Sequence, residues 1–599
     1  MKGLRFGVLS FAANVLGICV CAFAEPSSGG GVAAPAQRRP DFIPLGVYWP
    51  GEYAFQDCGN ATARWQRVDA ALDDLARHHV NAIWLTHLSA AETAEFSRRA
   101  ASRGLYLVAS LGELAGEEPQ VRKSDHAALI ERTRAAWSNA PAPIAWGLGD
   151  EPRSTYMNEI AAYVQAWRTN APGEAVTSVV MWGDVNAAGR AGFDFLCCDV
   201  YPFFSAGNPN GYGAAPFAAW RDIARNVVAR GRVGWMMGQA YQEPWGPHEA
   251  DAQGNVVYLP GGAPHWVMPT PEQIRWQAWS AIANGAKGVF YFAYRFPRGG
   301  NTNAAPANLP AAVKARTNSN APRGLVYDDG RPTPQYEAMG EAFAQIAKLA
   351  PVLAPLRPAA AREVWSDGAS GSAEVSMLVD PASQKRFLVV VGPYDGDAKQ
   401  TLAITLGPHV TGLRNVSTGR ALPLALAAPY RAAVVPVRPG EGQVFECAVD
   451  PANMPQVYSD DFATDKYKAD AMNGDTTRVK RYETATGGCL SALDGGAAAD
   501  QAFLVYDLDQ RLGPVDPDGA RMLIYSGGAN PPEYRGAFWS ISADGQSFHA
   551  LSSNQFDRAV IFSERYLKVG LSWRQSGGPA YGHLSGFTVC QWKHAARSF

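Results

Sequence analysis

No long basic run occurs in this 599-residue chain, and 53 lysines and arginines are met by 55 aspartates and glutamates, a formal net charge of −2. Nucleic-acid binding needs a concentrated basic face, so nothing here points to that partner. Cysteine is scarce, at eight residues. Neither Cys-x-x-Cys nor His-Glu-x-x-His is present, so no metal and no cofactor are expected. After the amino-terminal stretch no apolar run is long enough to span a bilayer. Charged residues are also few (18%) beside 47% hydrophobic ones, so most of the chain should fold. At this length one compact core is excluded, and two to four domains are expected.

The amino terminus carries Lys2 and Arg5, then an apolar stretch from Phe6 to Phe23, then Ala22-Phe23-Ala24 before Glu25-Pro26. This is the charge, apolar core and small-residue exit of a secretory signal peptide over residues 1–24, which implies a secreted or periplasmic protein. Residues 25–41 are rich in Pro, Gly, Ser and Ala and read as a flexible linker. Removing the signal leaves Cys58, Cys197, Cys198, Cys447, Cys489 and Cys590 in a compartment that permits disulfides.

From Phe42 short apolar runs alternate with amphipathic stretches, the pattern of repeated βα units. Strands are expected at Ile43–Trp49, Ala82–His87, Leu105–Leu111, Ile144–Leu148, Val176–Trp182, Phe195–Tyr201, Gly234–Tyr241 and Val289–Tyr294. Eight alternations within residues 42–356 fit a closed (β/α)8 TIM barrel with extended loops. A nucleotide-binding open sheet wants a Gly-rich turn after its first strand. Here that strand runs into Tyr48-Trp49-Pro50-Gly51-Glu52-Tyr53. After Arg357 helical periodicity stops. A small β-sandwich is expected over 357–450 and a second all-β, jelly-roll-like region over 451–599. The fold class is thus α/β, a barrel followed by two all-β domains.

Reacting groups of such a barrel sit at the carboxyl ends of its strands. The fourth strand ends in Gly149-Asp150-Glu151-Pro152. Adjacent carboxyls raise the pKa of at least one, and a protonated Glu could donate to a glycosidic oxygen; the same residues would also suit a helix start. The sixth strand ends in Asp199-Val200-Tyr201, the seventh in Gln239-Ala240-Tyr241-Gln242-Glu243, and the eighth in Tyr294-Arg295. Glu113 and Asp184 are weaker candidates. Tyr48, Trp49, Trp182, Tyr241, Tyr294 and Trp245 fall at or near strand ends, where flat rings would stack on sugar faces.

Asp150-Glu151-Pro152 resembles the Asn-Glu-Pro that carries the acid/base Glu in the large clan of retaining (β/α)8 glycoside hydrolases. Pro269-Thr270-Pro271-Glu272, Arg275, Ala281–Tyr291, Asp199-Val200-Tyr201-Pro202 and Arg331-Pro332-Thr333-Pro334 are similar to stretches of secreted barrels related to that clan. The resemblance implies Glu151 as acid/base and a nucleophilic Glu ending the seventh strand, where this chain has Gln239. Three alternatives follow. Asp199 or Glu243 serves as nucleophile or as base of an inverting reaction; the substrate supplies an N-acetyl nucleophile oriented by Asp150; or the barrel only binds glycan. The expectation is a glycoside hydrolase with Glu151 as proton donor, Asp199 or Glu243 as second carboxylate, and Asp150 tuning Glu151. Gln239, Tyr201, Trp182, Tyr241, Trp49, Tyr294 and Arg295 would hold the sugar. A glycan is the expected partner, and Phe538–Gly545 resembles carbohydrate-binding or discoidin-like modules.

Overall fold

The computed structural model describes residues 42–592 apart from 52–58, 87, 111–124, 153–156, 182–187, 190, 205–219, 222–223, 225–232, 246–247, 251–255, 261, 296–323, 328–329, 360–362, 367–372, 397–398, 428–429, 461–470, 475–478, 485–486, 493–501, 513, 516–519, 528–536, 545, 548, 551–559, 563–564 and 572–582. The signal and linker expectations, with Glu113, Trp182 and Asp184, therefore lie outside the described residues.

The first part is a closed barrel of eight parallel strands. In chain order its elements are β1 (Leu45–Pro50), α1 (Ala61–Arg77), β2 (Ala82–Thr86), α2 (Ala90–Ala101), β3 (Tyr106–Ala109), α3 (His126–Ala136), β4 (Ala145–Asp150), α4 (Met157–Asn170), β5 (Val176–Met181), β6 (Phe195–Asp199) and β7 (Val233–Gln239). Four short strands follow: β8 (Glu243–Trp245), β9 (His248–Ala250), β10 (Val256–Tyr258) and β11 (Ala263–Trp266). Then come α5 (Pro271–Ala283), the last barrel strand β12 (Gly288–Phe292), and α6 (Pro334–Leu353). Strands β9 and β10 pair, as do β8 and β11, so the long loop expected after the seventh strand is built of two small antiparallel ladders.

Local chemistry starts the helices. Ser89 and Glu92 form a reciprocal capping box at α2, and Thr270 and Gln273 form another at α5, where Pro271 adds a preset backbone angle. Side chains alternate across each barrel strand. Leu45, Val47 and Trp49 of β1 join the layer between sheet and helices, while Tyr48 joins the interior. Trp84, Trp235, Phe195 and Phe290 fill that interior, with the Phe195 and Trp235 rings stacked at 4.6 Å. The barrel is thus plugged by aromatic rings, and only its mouth is left for chemistry.

The next part holds β13 (Arg357–Pro358), β14 (Val364–Ser366), β15 (Glu374–Val379), β16 (Arg386–Val391), β17 (Gln400–Leu406), β18 (Val410–Asn415), β19 (Ala421–Leu422), β20 (Ala425–Ala427), β21 (Tyr430–Val437) and β22 (Gly442–Val449). They make a six-stranded sheet and a four-stranded one. Strand β16 is apolar on both faces for a physical reason. Leu388 and Val390 enter the core between the two sheets, while Phe387, Val389 and Val391 pack into the barrel's outer layer. A polar lock accompanies this contact. The buried carboxylate of Glu374 accepts bonds from Ser280 Oγ at 2.9 and 3.0 Å and from Asn284 Nδ2 at 3.0 Å.

The last part carries β23 (Gln456–Asp460), β24 (Ala471–Gly474), β25 (Val479–Thr484), β26 (Gly487–Ala492), β27 (Ala502–Asp507), α7 (Leu508–Leu512), β28 (Ala520–Gly527), β29 (Ala537–Ser542), β30 (His549–Ala550), β31 (Val560–Phe562), β32 (Tyr566–Leu571) and β33 (His583–Trp592), arranged in two antiparallel sheets. The turn after β29 is closed by Asp544, whose carboxylate accepts bonds from Ser542 Oγ and from the Gln546 and Ser547 N–H groups, each at 2.8 Å.

The barrel–sandwich contact makes a prediction. A Cβ on Gly442 would stand 1.9 Å from the Trp279 ring. Gly442→Ala should therefore cost about 2 kcal/mol through overpacking. Gly59→Ala, where a Cβ meets nothing within 4 Å, should stay within about 0.5 kcal/mol of wild type. Urea unfolding of both variants checks this.

Candidate active site

The end of β4 is irregular. Gly147 pairs with Thr177 of β5, but Asp150 pairs with Val179, so β4 carries one residue more than its neighbour. Such a bulge bends the strand and re-aims the side chains beyond it. Gly149 has φ 138° and Glu151 φ 47°, the left-handed region that a Glu rarely occupies. The Glu151 N–H still bonds Val179 C=O at 3.0 Å, and Ser178 Oγ bonds Gly149 C=O at 3.0 Å, which fix the distorted turn.

Three carboxyls gather there. Asp150 and Glu151 are exposed, whereas Asp199 at the end of β6 is only 5% exposed. The Tyr48 hydroxyl donates to Asp150 Oδ2 at 3.2 Å. Asp199 Oδ1 is buried without a hydrogen-bond partner, and the Glu151 carboxyl lies near enough to act on the Asp199 carboxyl. Burial pushes the Asp199 carboxyl above its ordinary value; Glu151 opposes that shift, and the Asp150 charge adds to it.

Aromatic rings wall the cluster. Tyr241 meets Tyr201 edge-on at 5.2 Å and Phe292 at 5.2 Å, and Trp266 lies 5.6 Å away. Tyr48 reaches Phe292 at 5.1 Å. Burial, then the charges of Glu243, Glu151 and Asp199, hold the Tyr241 hydroxyl well above its ordinary value. Burial likewise raises Tyr201, whose hydroxyl also feels Asp199, Glu151 and Asp150. Glu243 is half-buried, and burial pushes its carboxyl up to about 7. Tyr241 thus stands in the field of Glu243 on one hand and of the Glu151–Asp199 pair on the other.

Several expected sugar ligands lie elsewhere. Trp49 is 2% exposed and packs against Phe96 at 5.4 Å and Tyr294 at 4.8 Å in the layer outside the barrel. Tyr294 is buried in that layer and also meets Tyr336 at 5.9 Å. The expectation for both rings is corrected: Trp49 shares the outward face of β1 with Leu45 and Val47, and Tyr294 follows β12 into the same layer. Arg295 beside it is half-buried. Gln239 is fully buried, and its amide is occupied by main chain. Its Oε1 accepts from Phe203 N–H at 2.9 Å, and its Nε2 donates to the carbonyls of Val267, Phe203 and Tyr241 at 2.8, 3.1 and 3.3 Å. The expectation that Gln239 positions sugar is corrected too, because it staples the loops after β6 and β11. Asp199, expected as nucleophile or base, is buried at the end of β6. Tyr48, expected among the strand-end rings, does stand at the mouth, whereas sequence reading left Trp266 and Phe292 out. Phe292 and Phe290 share a strand face, a usable signal, whereas Trp266 ends the short strand β11 in the long connection after β7, which was read as a loop.

Among the described residues no group of three or more His, Cys, Asp or Glu could hold a metal ion. Cys197, Cys198 and Cys447 are free thiols.

No family model matches this chain, and no curated protein matches it. Solved structures similar to it include a glycoside hydrolase GH5_18 from Bifidobacterium longum subsp. longum, at 17% identity over 51% of this chain and 79% of that one, TM-score 0.33. An exo-β-1,4-mannosidase from Opitutaceae bacterium strain TAV5 is 14% identical over 52% of this chain and 60% of that one, TM-score 0.34. A maltogenic α-amylase from Thermotoga neapolitana is 11% identical over 68% of this chain and 99% of that one, TM-score 0.39.

The role of Gln239 is open to direct test. A Glu there could not donate to three carbonyls, and a buried carboxylate would face them unpaired. Gln239→Glu should lose about 3 kcal/mol of stability and gain no sugar-releasing activity. Wild-type stability with raised sugar release would restore Gln239 as a lost nucleophile.

Proposed function

We propose that this protein is an exported glycoside hydrolase that cleaves O-glycosidic bonds of a polysaccharide or glycoconjugate, with Glu151 as proton donor. The observation that carries this reading is the exposed Glu151 carboxyl at a barrel-strand end, beside the acids Asp150 and Asp199 and the phenols Tyr201 and Tyr241. Neighbouring acids favour a proton on one of the group nearer neutral pH, where an isolated Glu would be ionised. Aromatic faces and hydroxyls suit the mixed apolar and polar surface of a sugar. The proton leaves Glu151 for the glycosidic oxygen as the C1–O bond breaks, its electron pair staying on that oxygen. Water then supplies the hydroxyl at C1 and returns a proton to the enzyme.

Asp199 is 5% exposed and out of a substrate's reach, which leaves Glu243 as the carboxyl to act as nucleophile or base. Asp150, held by Tyr48, adds the negative charge that favours a proton on its neighbours. Export is supported by the charge and apolar pattern of residues 1–24, and no described helix is long and apolar enough to cross a membrane.

One observation favours a second reading, a barrel that binds glycan without cleaving it. The strand-end position where a nucleophile is expected holds Gln239, which is committed to main-chain bonds.

Sugar release from a broad glycan panel, by the chain lacking residues 1–24, separates the two. The hydrolase reading expects release that falls at least about a hundredfold in both Glu151→Gln and Glu243→Gln. Release unchanged in Glu151→Gln removes that residue from the chemistry. Binding without release, in wild type and variants alike, supports the second reading.

A further inference from the structure

We infer that Tyr394, a side chain of the β-sandwich, is a positioning residue for the barrel mouth, so that sandwich and barrel form one working unit. The inference rests on the reading of the mouth as a glycosidase site. The sandwich reaches that far because two of its turns come up to α5 without side chains. The Gly392 N–H bonds Glu441 C=O and the Gly440 N–H bonds Pro393 C=O, each at 2.8 Å, which ties the turn after β16 to the turn before β22. A Cβ on Gly440 would run into the Glu272 carbonyl in the first turn of α5, and one on Gly442 into the Trp279 ring. Gly440 also has φ 72°, a conformation that favours glycine. The paired turns therefore lie close against α5, and Tyr394 follows directly on them.

There the half-buried Tyr394 ring meets Trp276 of α5 at 5.0 Å and Phe203 of the loop after β6 at 6.0 Å, and Trp276 and Phe203 meet each other at 6.4 Å. All three pairs are edge-on, the arrangement aromatic rings prefer. Trp276 and Phe203 are buried, so this triangle is packed and not a surface contact. Phe203 joins it to the mouth. Its N–H donates to Gln239 Oε1 at 2.9 Å, and its C=O accepts from Gln239 Nε2 at 3.1 Å and from the Val267 N–H at 3.0 Å. The same Gln239 Nε2 bonds the Tyr241 carbonyl at 3.3 Å. Tyr201 lies just before Phe203 in the chain, and Trp266 just before Val267. Tyr201, Tyr241 and Trp266, the rings beside the carboxyls, thus hang on main chain whose common point is Phe203. Without the Tyr394 ring, Phe203 loses packing on one side, and small displacements of groups around a reacting centre are costly in rate. Tyr394 does not touch substrate; it acts through Phe203.

Hydrogen exchange of the full chain, read by mass spectrometry, tests this without a substrate. In Tyr394→Ala the amides of Phe203 and Val267 should exchange at least about tenfold faster, while Leu388 and Val389 of β16 keep wild-type rates. Tyr394→Phe, which keeps the ring, should match wild type throughout. In the glycan panel Tyr394→Ala should lose at least about tenfold in kcat/KM, and Tyr394→Phe should lose none of it. Unchanged exchange at Phe203 and Val267 in Tyr394→Ala overturns the inference. So does faster exchange spread evenly over β16, which would make Tyr394 a residue of sandwich folding alone. Should Tyr394→Ala fail to fold, Tyr394→Leu carries the same expectation, because it fills space without offering a ring edge. The outcomes separate from those of the hydrolase reading. Faster local exchange with no sugar release from wild type sinks the hydrolase reading alone, and wild-type release by Tyr394→Ala sinks this one alone.

Discussion

A buried acid, Asp199, sits beside the exposed acids Asp150 and Glu151 at the end of an aromatic-filled barrel, and its burial is the constraint on which the mouth depends. Water is scarce behind Asp199, so its charge cannot be relieved by solvation. Phenols and thiols that stay neutral surround it, and further acids lie next to it. Such a site favours a proton on Asp199. The left-handed turn at Glu151 leaves that carboxyl facing solvent.

The scaffold explains why this arrangement can persist. Trp84, Trp235 and Phe290 pack the barrel below it and give the strand ends a rigid base. Gln239 ties together three main-chain segments on one side of the mouth and so secures Tyr241 and the approach to Glu243. On the outer side, α5 is clamped against the sandwich by Trp279, Gly442 and the Glu374 lock. The same helix supplies Gln277, whose side chain exchanges two bonds with the Gln239 main chain at 2.7 and 2.9 Å. A continuous set of contacts thus runs from the β-sandwich to the mouth.

The barrel was legible because alternation of apolar runs and amphipathic helices is written locally. So was the placing of Asp150 and Glu151 at the end of β4. Trp49 and Tyr48 show where a finer reading was available: neighbours on a strand face opposite sides, and Trp49 shares the face of Leu45 and Val47. Gln239 was not legible. Its partners Phe203 and Val267 lie 36 and 28 residues away, and no local pattern announces them. The aim of Glu151 was hidden for a similar reason, because a one-residue bulge and a left-handed turn decide it.

The central claim is that Glu151 sits in a strained conformation for the sake of its chemistry, and the stability of Glu151→Gly beside its sugar release tests that most directly. Glycine relieves a left-handed cost of about 1–2 kcal/mol and gives back part of it through a freer unfolded chain. The account predicts a variant at least as stable as wild type that releases no sugar. A loss of more than about 1 kcal/mol with sugar release intact would contradict it, and would make Glu151 a structural residue of the turn.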